Sequence, residues 1–112
     1  MRYHNHKSEP YFTFLKNGKK TIEGRVGKGW YQNINIDDHI VVYNEEETDS
    51  IETVVKRVAK YKSIKEMLTN EPLGEMLPDV NSIKNGINVY RRFYTKAQEK
   101  QFGMVAIEVE KL

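Results

Sequence analysis

The chain has 112 residues, no cysteine, and 18 Lys plus Arg against 16 Asp plus Glu, for a formal net charge of +2. The length suits one domain, expected to span residues 1–112. The missing cysteine excludes a disulfide framework, a thiolate zinc finger and a cysteine nucleophile. With 30% charged and 38% hydrophobic residues the composition is that of a globular protein. No apolar run approaches the ~20 residues of a membrane span, so no membrane partner is expected.

Met1 to Pro10 is polar and has no hydrophobic signal core, which predicts an unexported, cytoplasmic protein, or a nuclear one in a eukaryote. His4 and His6 would share one face of a strand. Beyond His39, however, no further His or Cys completes a metal site, and neither metal nor cofactor is expected. Ser8-Glu9-Pro10 is a helix start, with Ser8 as the cap and Pro10 where its missing N–H costs least. The helix should run through Phe12, Leu15 and Lys16 and stop at Gly18. Lys20 to Val26 reads as a strand, followed by a loop that carries Trp30 and Tyr31 between Gly27, Gly29 and Asn33.

Asp37-Asp38 marks a turn into the strand His39 to Tyr43. An acidic turn, Asn44 to Ser50, leads to a long β-rich run, Ile51 to Tyr61, and the two strands predict a hairpin. Ser63-Ile64-Lys65-Glu66 and Thr95-Lys96-Ala97-Gln98 both match the capping box that opens a helix. Ile83, Ile87, Tyr90 and Tyr94 fall at helical spacing and predict an amphipathic helix, weakened by ~1 kcal/mol at Gly86 relative to alanine. Gly103 opens a last strand, Met104 to Val109. Strands and helices do not alternate as βαβ units, so the expected class is α+β: a small mixed β-barrel flanked by short helices.

The charge is segmented. Residues 1–30 hold seven basic and two acidic groups, and residues 37–52 hold seven acidic groups and no basic one. A fold that gathers the basic blocks would present one cationic face, able to steer toward phosphate, and one acidic face.

The densest polar constellation is Asn17-Gly18-Lys19-Lys20-Thr21-Ile22-Glu23-Gly24-Arg25. On a regular strand Thr21, Glu23 and Arg25 share a face and Lys20 lies on the other. A bulge near Gly24, or a twist at the helix-to-strand junction, would bring Lys20 and Glu23 into one cleft. Lys19, Lys20, Thr21, Glu23 and Arg25 are therefore candidate ligand-binding residues for a planar polar ligand with phosphate or carbonyl groups. Trp30, Tyr61 and Tyr94 are candidate stacking rings, with Trp30 expected to be the most exposed.

In this octapeptide, Gly18-Lys19-Lys20-Thr21-Ile22-Glu23-Gly24-Arg25, the chain resembles the signature of the ASCH domain family. Further segments agree in order: Glu9-Pro10-Tyr11-Phe12, Asp38-His39-Ile40, Tyr61 to Leu68, Tyr90-Arg91-Arg92-Phe93-Tyr94 and Phe102 to Ile107. Asp37 stands where the family usually has Gly. The resemblance implies a PUA-like β-barrel, an association with RNA, and Lys20, Glu23 and Arg25 as cleft residues. It also carries an enzymatic precedent, the removal of the acetyl group from acetylcytidine, in which Lys20 would match the base. The nucleophilic Thr of those enzymes falls at Glu23, and their further catalytic Glu falls in the region of Glu71 and Glu75.

Three functional expectations follow. The first is a binding module for RNA or a modified nucleoside, monomeric, with the ligand beside the signature strand. The second is a small metal-independent hydrolase on such a ligand, with Lys20 and Glu23 as catalytic residues. The third is a protein-interaction module with its partner on the acidic face.

Overall fold

The computed structural model describes residues 1–112 and contains five strands, five short α-helices and a 3-10 helix, Gly29–Asn33, in the expected Trp30 loop. In chain order these are β1 (Arg2–Lys7), α1 (Tyr11–Lys16), β2 (Ile22–Val26), β3 (His39–Asn44), β4 (Ser50–Tyr61), α2 (Ile64–Asn70), α3 (Leu73–Met76), α4 (Ile83–Arg91), α5 (Lys96–Phe102) and β5 (Met104–Lys111). The strands form one mixed sheet, ordered β1-β3-β4-β5-β2 and curled into a half-barrel, as the α+β expectation requires. All neighbours pair antiparallel except β1 with β3. The β3–β4 hairpin forms as predicted, and the carboxamide oxygen of Asn44 ties its acidic tip by accepting the Thr48 and Asp49 amides. A register shift between Val55 and Arg57 lets the twelve-residue β4 bend, so that Ser50 to Val54 pair with β3 and Thr53 to Tyr61 with β5.

β1 is the one strand that hydrophobic periodicity does not reveal. Its inward residues are Tyr3, Asn5 and Lys7, and two of those three are polar. Helix α1 also starts differently from the reading above. Ser8 does not cap it; the Glu9 carboxylate accepts the Thr13 amide at 3.0 Å and the Thr13 hydroxyl at 2.9 Å. Ser63 accepts the Glu66 amide, but Glu66 does not reach back to the Ser63 amide to complete the box, and the Ile64 amide donates to Glu99 of α5 at 2.6 Å. The Thr95–Gln98 box is complete. Asp37 holds a φ of +75°, the left-handed turn for which Asp is better suited than most residues.

The core lies on the two faces of the sheet. One group packs Ile22, Met104 and Ala106 against Ile64, Met67, Leu68, Met76, Val89 and Tyr90 of the helices. The other packs Phe12 and Leu15 of α1 against Ile40, Val42, Val55, Val105 and Ile107. The buried side of α4 is Gly86, Val89 and Tyr90. Tyr94, the last member of the predicted stripe, lies in the turn beyond the helix. Gly86 is explained by packing, because a Cβ there would sit 2.9 Å from Leu68 Cδ1.

Gly103 has a φ of +67° and a ψ of −169°, a conformation essentially restricted to glycine. A Cβ there would also meet the Tyr61 carbonyl oxygen at 2.7 Å. Gly103→Ala is expected to cost about 1–3 kcal/mol, seen as a lowered urea midpoint at unchanged slope.

Candidate functional site

β1 and β2 are the two edges of the sheet and make no ladder with each other. Side chains close the gap. Glu23 of β2 is 1% exposed, and its carboxylate is paired with Lys7 of β1. Its second oxygen accepts from Arg25 Nε at 3.3 Å and from Asn5 Nδ2 at 3.5 Å. Arg25 Nη2 donates to the His6 carbonyl of β1 at 3.1 Å. Asn5 also donates to the Tyr31 hydroxyl at 3.0 Å, and the Arg25 guanidinium lies over the Tyr31 ring at 5.5 Å. These contacts form the seam of the half-barrel.

A cavity of about 230 Å³ opens at this seam. Lys7, Lys20, Gly24 and Arg25 wall it from the strand side, and Tyr11, Val89, Tyr90 and Tyr94 from the helical side. The exposed residues His6, Glu45 and Phe93 form its rim. β2 pairs with β5 in unbroken register, so no bulge is present at Gly24. Lys20 reaches the site because it precedes the strand. Its backbone N–H donates to the Phe14 carbonyl, and its buried ammonium donates to the Ile22 carbonyl at 2.7 Å and to the Met76 carbonyl. Gly24 is glycine because Tyr90 occupies the space above it: a Cβ would lie 2.6 Å from the Tyr90 hydroxyl.

The electrostatics follow from burial. Burial alone would raise the Glu23 carboxyl, but Lys7, Arg25 and Lys20 together hold it far below the usual carboxylate range. Burial pushes the Lys7 ammonium down to about 8, against the pull of Glu23. Burial, then the charge of Lys7, lower Lys20 well below the ordinary lysine value; Arg25 adds to this, and Glu23 and Asp79 oppose it. Burial likewise raises the Tyr90 phenol.

Lys20, Arg25 and Tyr94 thus stand at the cavity, while Glu23 sits behind its wall. Lys19 is exposed and outside it. Thr21 uses its backbone to join the Glu75 carbonyl to the Val109 amide and lies outside as well. Trp30 is half-buried, its ring stacked on Tyr3 at 4.3 Å and packed against Tyr31 at 3.9 Å. Tyr61 lies away from the cavity and donates to Glu71, which Arg57 also grips. Neither Glu71 nor Glu75 lines the cavity. Sequence reasoning missed Lys7 and favoured a packing role for Tyr90 over a place at the site. The available signal was the alternation Tyr3, Asn5, Lys7, which puts all three on one face.

Glu23→Gln leaves three cations around a neutral amide. It is expected to destabilise the fold by ~3–5 kcal/mol in denaturant titrations, the range for breaking a buried pair. The acid limb follows the same logic. The carboxyl is depressed in the fold, so its contribution is complete above the unfolded value of about 4.5 and is lost as pH falls below it. Wild-type stability should therefore drop below about pH 4.5, and the Gln variant should show a shallower drop.

The protein is similar to several solved structures. The crystal structure of hypothetical protein PH0355 superposes with a TM-score of 0.89 at 38% identity over the whole of both chains. The solution structure of protein PF0455 from Pyrococcus furiosus gives a TM-score of 0.78 at 39% identity, covering 100% of this chain and 98% of that one. An ASCH domain from Lactobacillus crispatus shares the fold, with a TM-score of 0.65 at 11% identity over 97% of this chain and 79% of that one. No curated protein matches. The ASCH domain family model matches residues 7–112, a range that includes the Lys7, Lys20, Glu23 and Arg25 cluster, and the chain belongs to the ASCH domain family.

Proposed function

We propose that this protein binds single-stranded RNA and holds one unpaired nucleotide at the cavity beside β2; a free or modified nucleoside would use the same place. ASCH domains are generally thought to bind RNA. The observation that carries the finer reading is the combination at one opening of three cationic side chains, Lys7, Lys20 and Arg25, with an aromatic ring, Phe93, that is 51% exposed. Single-stranded nucleic acid is held by this pairing of positive charge with stacking faces, and RNA recognition favours unpaired bases on aromatic rings. Tyr94 packs beside Phe93 at 6.5 Å between ring centroids and continues the platform into the cavity. Exposed Arg92, next to Phe93 in the chain, would meet the backbone.

Lys20 supports a second reading. An amine whose proton affinity is lowered by burial and by Lys7 is suited to act as a general base on a bound modified nucleoside. Glu23 is unsuited to that task, since its charge is fully engaged and its proton affinity is low. In this reading Glu23 is the counter-ion that positions the cations. Incubation with acetylcytidine tests it: product that disappears in Lys20→Met supports catalysis, and an unchanged ligand removes it.

Binding of a short single-stranded RNA should weaken as salt rises. Phe93→Ala should cost ~1–3 kcal/mol of affinity, the worth of one stacked base, with the thermal midpoint unchanged. Isothermal titration at two salt concentrations checks both. Salt-independent binding, or full affinity in the variant, would count against this site.

A further inference from the structure

We propose that the inner end of the cavity is a phosphate pocket that takes a terminal phosphomonoester, so that the protein recognises a phosphorylated RNA end rather than the interior of a strand. The polymer in this statement rests on the RNA reading above; the phosphate rests on the donors themselves.

Behind the exposed rim the polar side chains of the lining are the cations Lys7, Lys20 and Arg25 and the hydroxyls of Ser8 and of Tyr11, Tyr90 and Tyr94. Lys20 Nζ has three hydrogens and gives two to backbone carbonyls, leaving one. Arg25 uses Nε on Glu23 and Nη2 on the His6 carbonyl, and Nη1 has no partner. The Tyr90 hydroxyl has no hydrogen-bond partner in the protein, although the residue is 6% exposed. The one carboxylate in the cluster, Glu23, is behind the wall and already held by Lys7, Arg25 and Asn5. The unpartnered acceptors of the cluster, Asn5 Oδ1 and the Lys7-paired Glu23 Oε1, are buried outside the lining, so the cavity itself presents donors in excess and no buried carboxylate. An exocyclic amine of cytosine or adenine would find only hydroxyl oxygens to accept from it, the Glu45 carboxylate standing at the exposed rim. An oxygen-rich group would be met on several sides.

Charge separates a phosphate from a neutral carbonyl. Three cations surround one carboxylate, and a carbonyl would fill the donors while leaving the buried positive excess uncompensated. A phosphate answers both, with short charge-assisted bonds from lysine and arginine. The other carboxylates nearby are Glu45 in the β3–β4 turn and Asp79 beyond α3; both are exposed, where water and salt screen them. Size separates an end from a strand interior. At about 230 Å³ the cavity is smaller than the usual ~300–1,000 Å³ ligand pocket. It suits one small group, whereas an internal phosphodiester would bring a nucleoside on each side. A monoester can enter while its own base rests on Phe93 at the rim.

The test is a binding comparison by calorimetry. One short single-stranded RNA is used with a 5′-phosphate, with a 3′-phosphate, and with hydroxyls at both ends. Uridine 5′-monophosphate and inorganic phosphate complete the set. One phosphorylated RNA is expected to bind about tenfold or more tighter than the hydroxyl form, in keeping with several charge-assisted bonds. Inorganic phosphate is expected to compete. Tyr90→Phe, which keeps the ring and removes an unpartnered hydroxyl, should reduce the preference several-fold without lowering the thermal midpoint. Equal affinity for all three RNAs, or a preference that persists undiminished in Tyr90→Phe, overturns the phosphate pocket and leaves the RNA reading standing. Monophosphate binding as tightly as the phosphorylated RNA upholds the pocket and overturns the RNA reading. Binding of none of these ligands overturns both.

Discussion

The structure depends on one buried carboxylate. A five-stranded sheet with β1 and β2 at its edges leaves two rows of unpaired backbone groups, and such edges invite association unless something covers them. Glu23 supplies the link from β2 to β1, through Lys7 and Asn5, and Arg25 adds a bond to the His6 carbonyl. A hydrogen-bonded ladder would have closed the barrel without leaving a cavity. Closure through side chains holds the edges together while leaving room between them, and the cavity forms there. The seam and the candidate site are one feature.

Burying four charged groups together is costly, and a well-packed apolar seam would hold the edges at less expense in desolvation. The arrangement is also unbalanced, with more cations than its single carboxylate can neutralise. Imbalance of this kind, next to an opening, is a mark of functional sites more than of structural ones. Gly24 fits the same view. A side chain there would strengthen a strand interior, but it would collide with the Tyr90 hydroxyl. The strand gives up a side chain so that a phenol can reach the floor of the cavity.

How much of this was legible in the sequence depends on which face a residue shows. The signature strand was readable because its glycines and charges are local, and the hairpin was readable because β3 and β4 carry alternating β-branched residues. β1 was not readable as a strand, since its inward face is Tyr3, Asn5 and Lys7, and inward polar residues erase the hydrophobic period. Lys7 was missed for that reason. Trp30, in a Gly-rich loop, has the local look of an exposed ring, yet Tyr3 from the distant β1 stacks on it at 4.3 Å. Tyr90 and Tyr94 share a helical stripe, but the helix ends at Arg91, so one packs inward over Gly24 and the other turns to the cavity wall. Local pattern fixes an element; only the way strands distant in sequence come together decides which side chains meet.

A second ion network in the same molecule shows what a structural arrangement looks like. At the bulge of β4, Arg57 grips Glu71 with both terminal nitrogens and reaches Glu108 with Nε, and Tyr61 donates to Glu71 as well. The donors and acceptors there match. The guanidinium fork meets a carboxylate in the geometry it fits best, and the network ties the end of α2 to β4 and β5. Neither Arg57 nor Glu71 borders the cavity at the seam. The seam has the same kinds of residue in a different ratio, with an arginine nitrogen, a lysine hydrogen and a tyrosine hydroxyl left over. Presence of ion pairs does not distinguish the two places, because both have them. The remainder does: donors without acceptors, facing an opening, describe what is to be bound, while the seam's own unpartnered acceptors, Asn5 Oδ1 and the Lys7-paired Glu23 Oε1, are buried away from it.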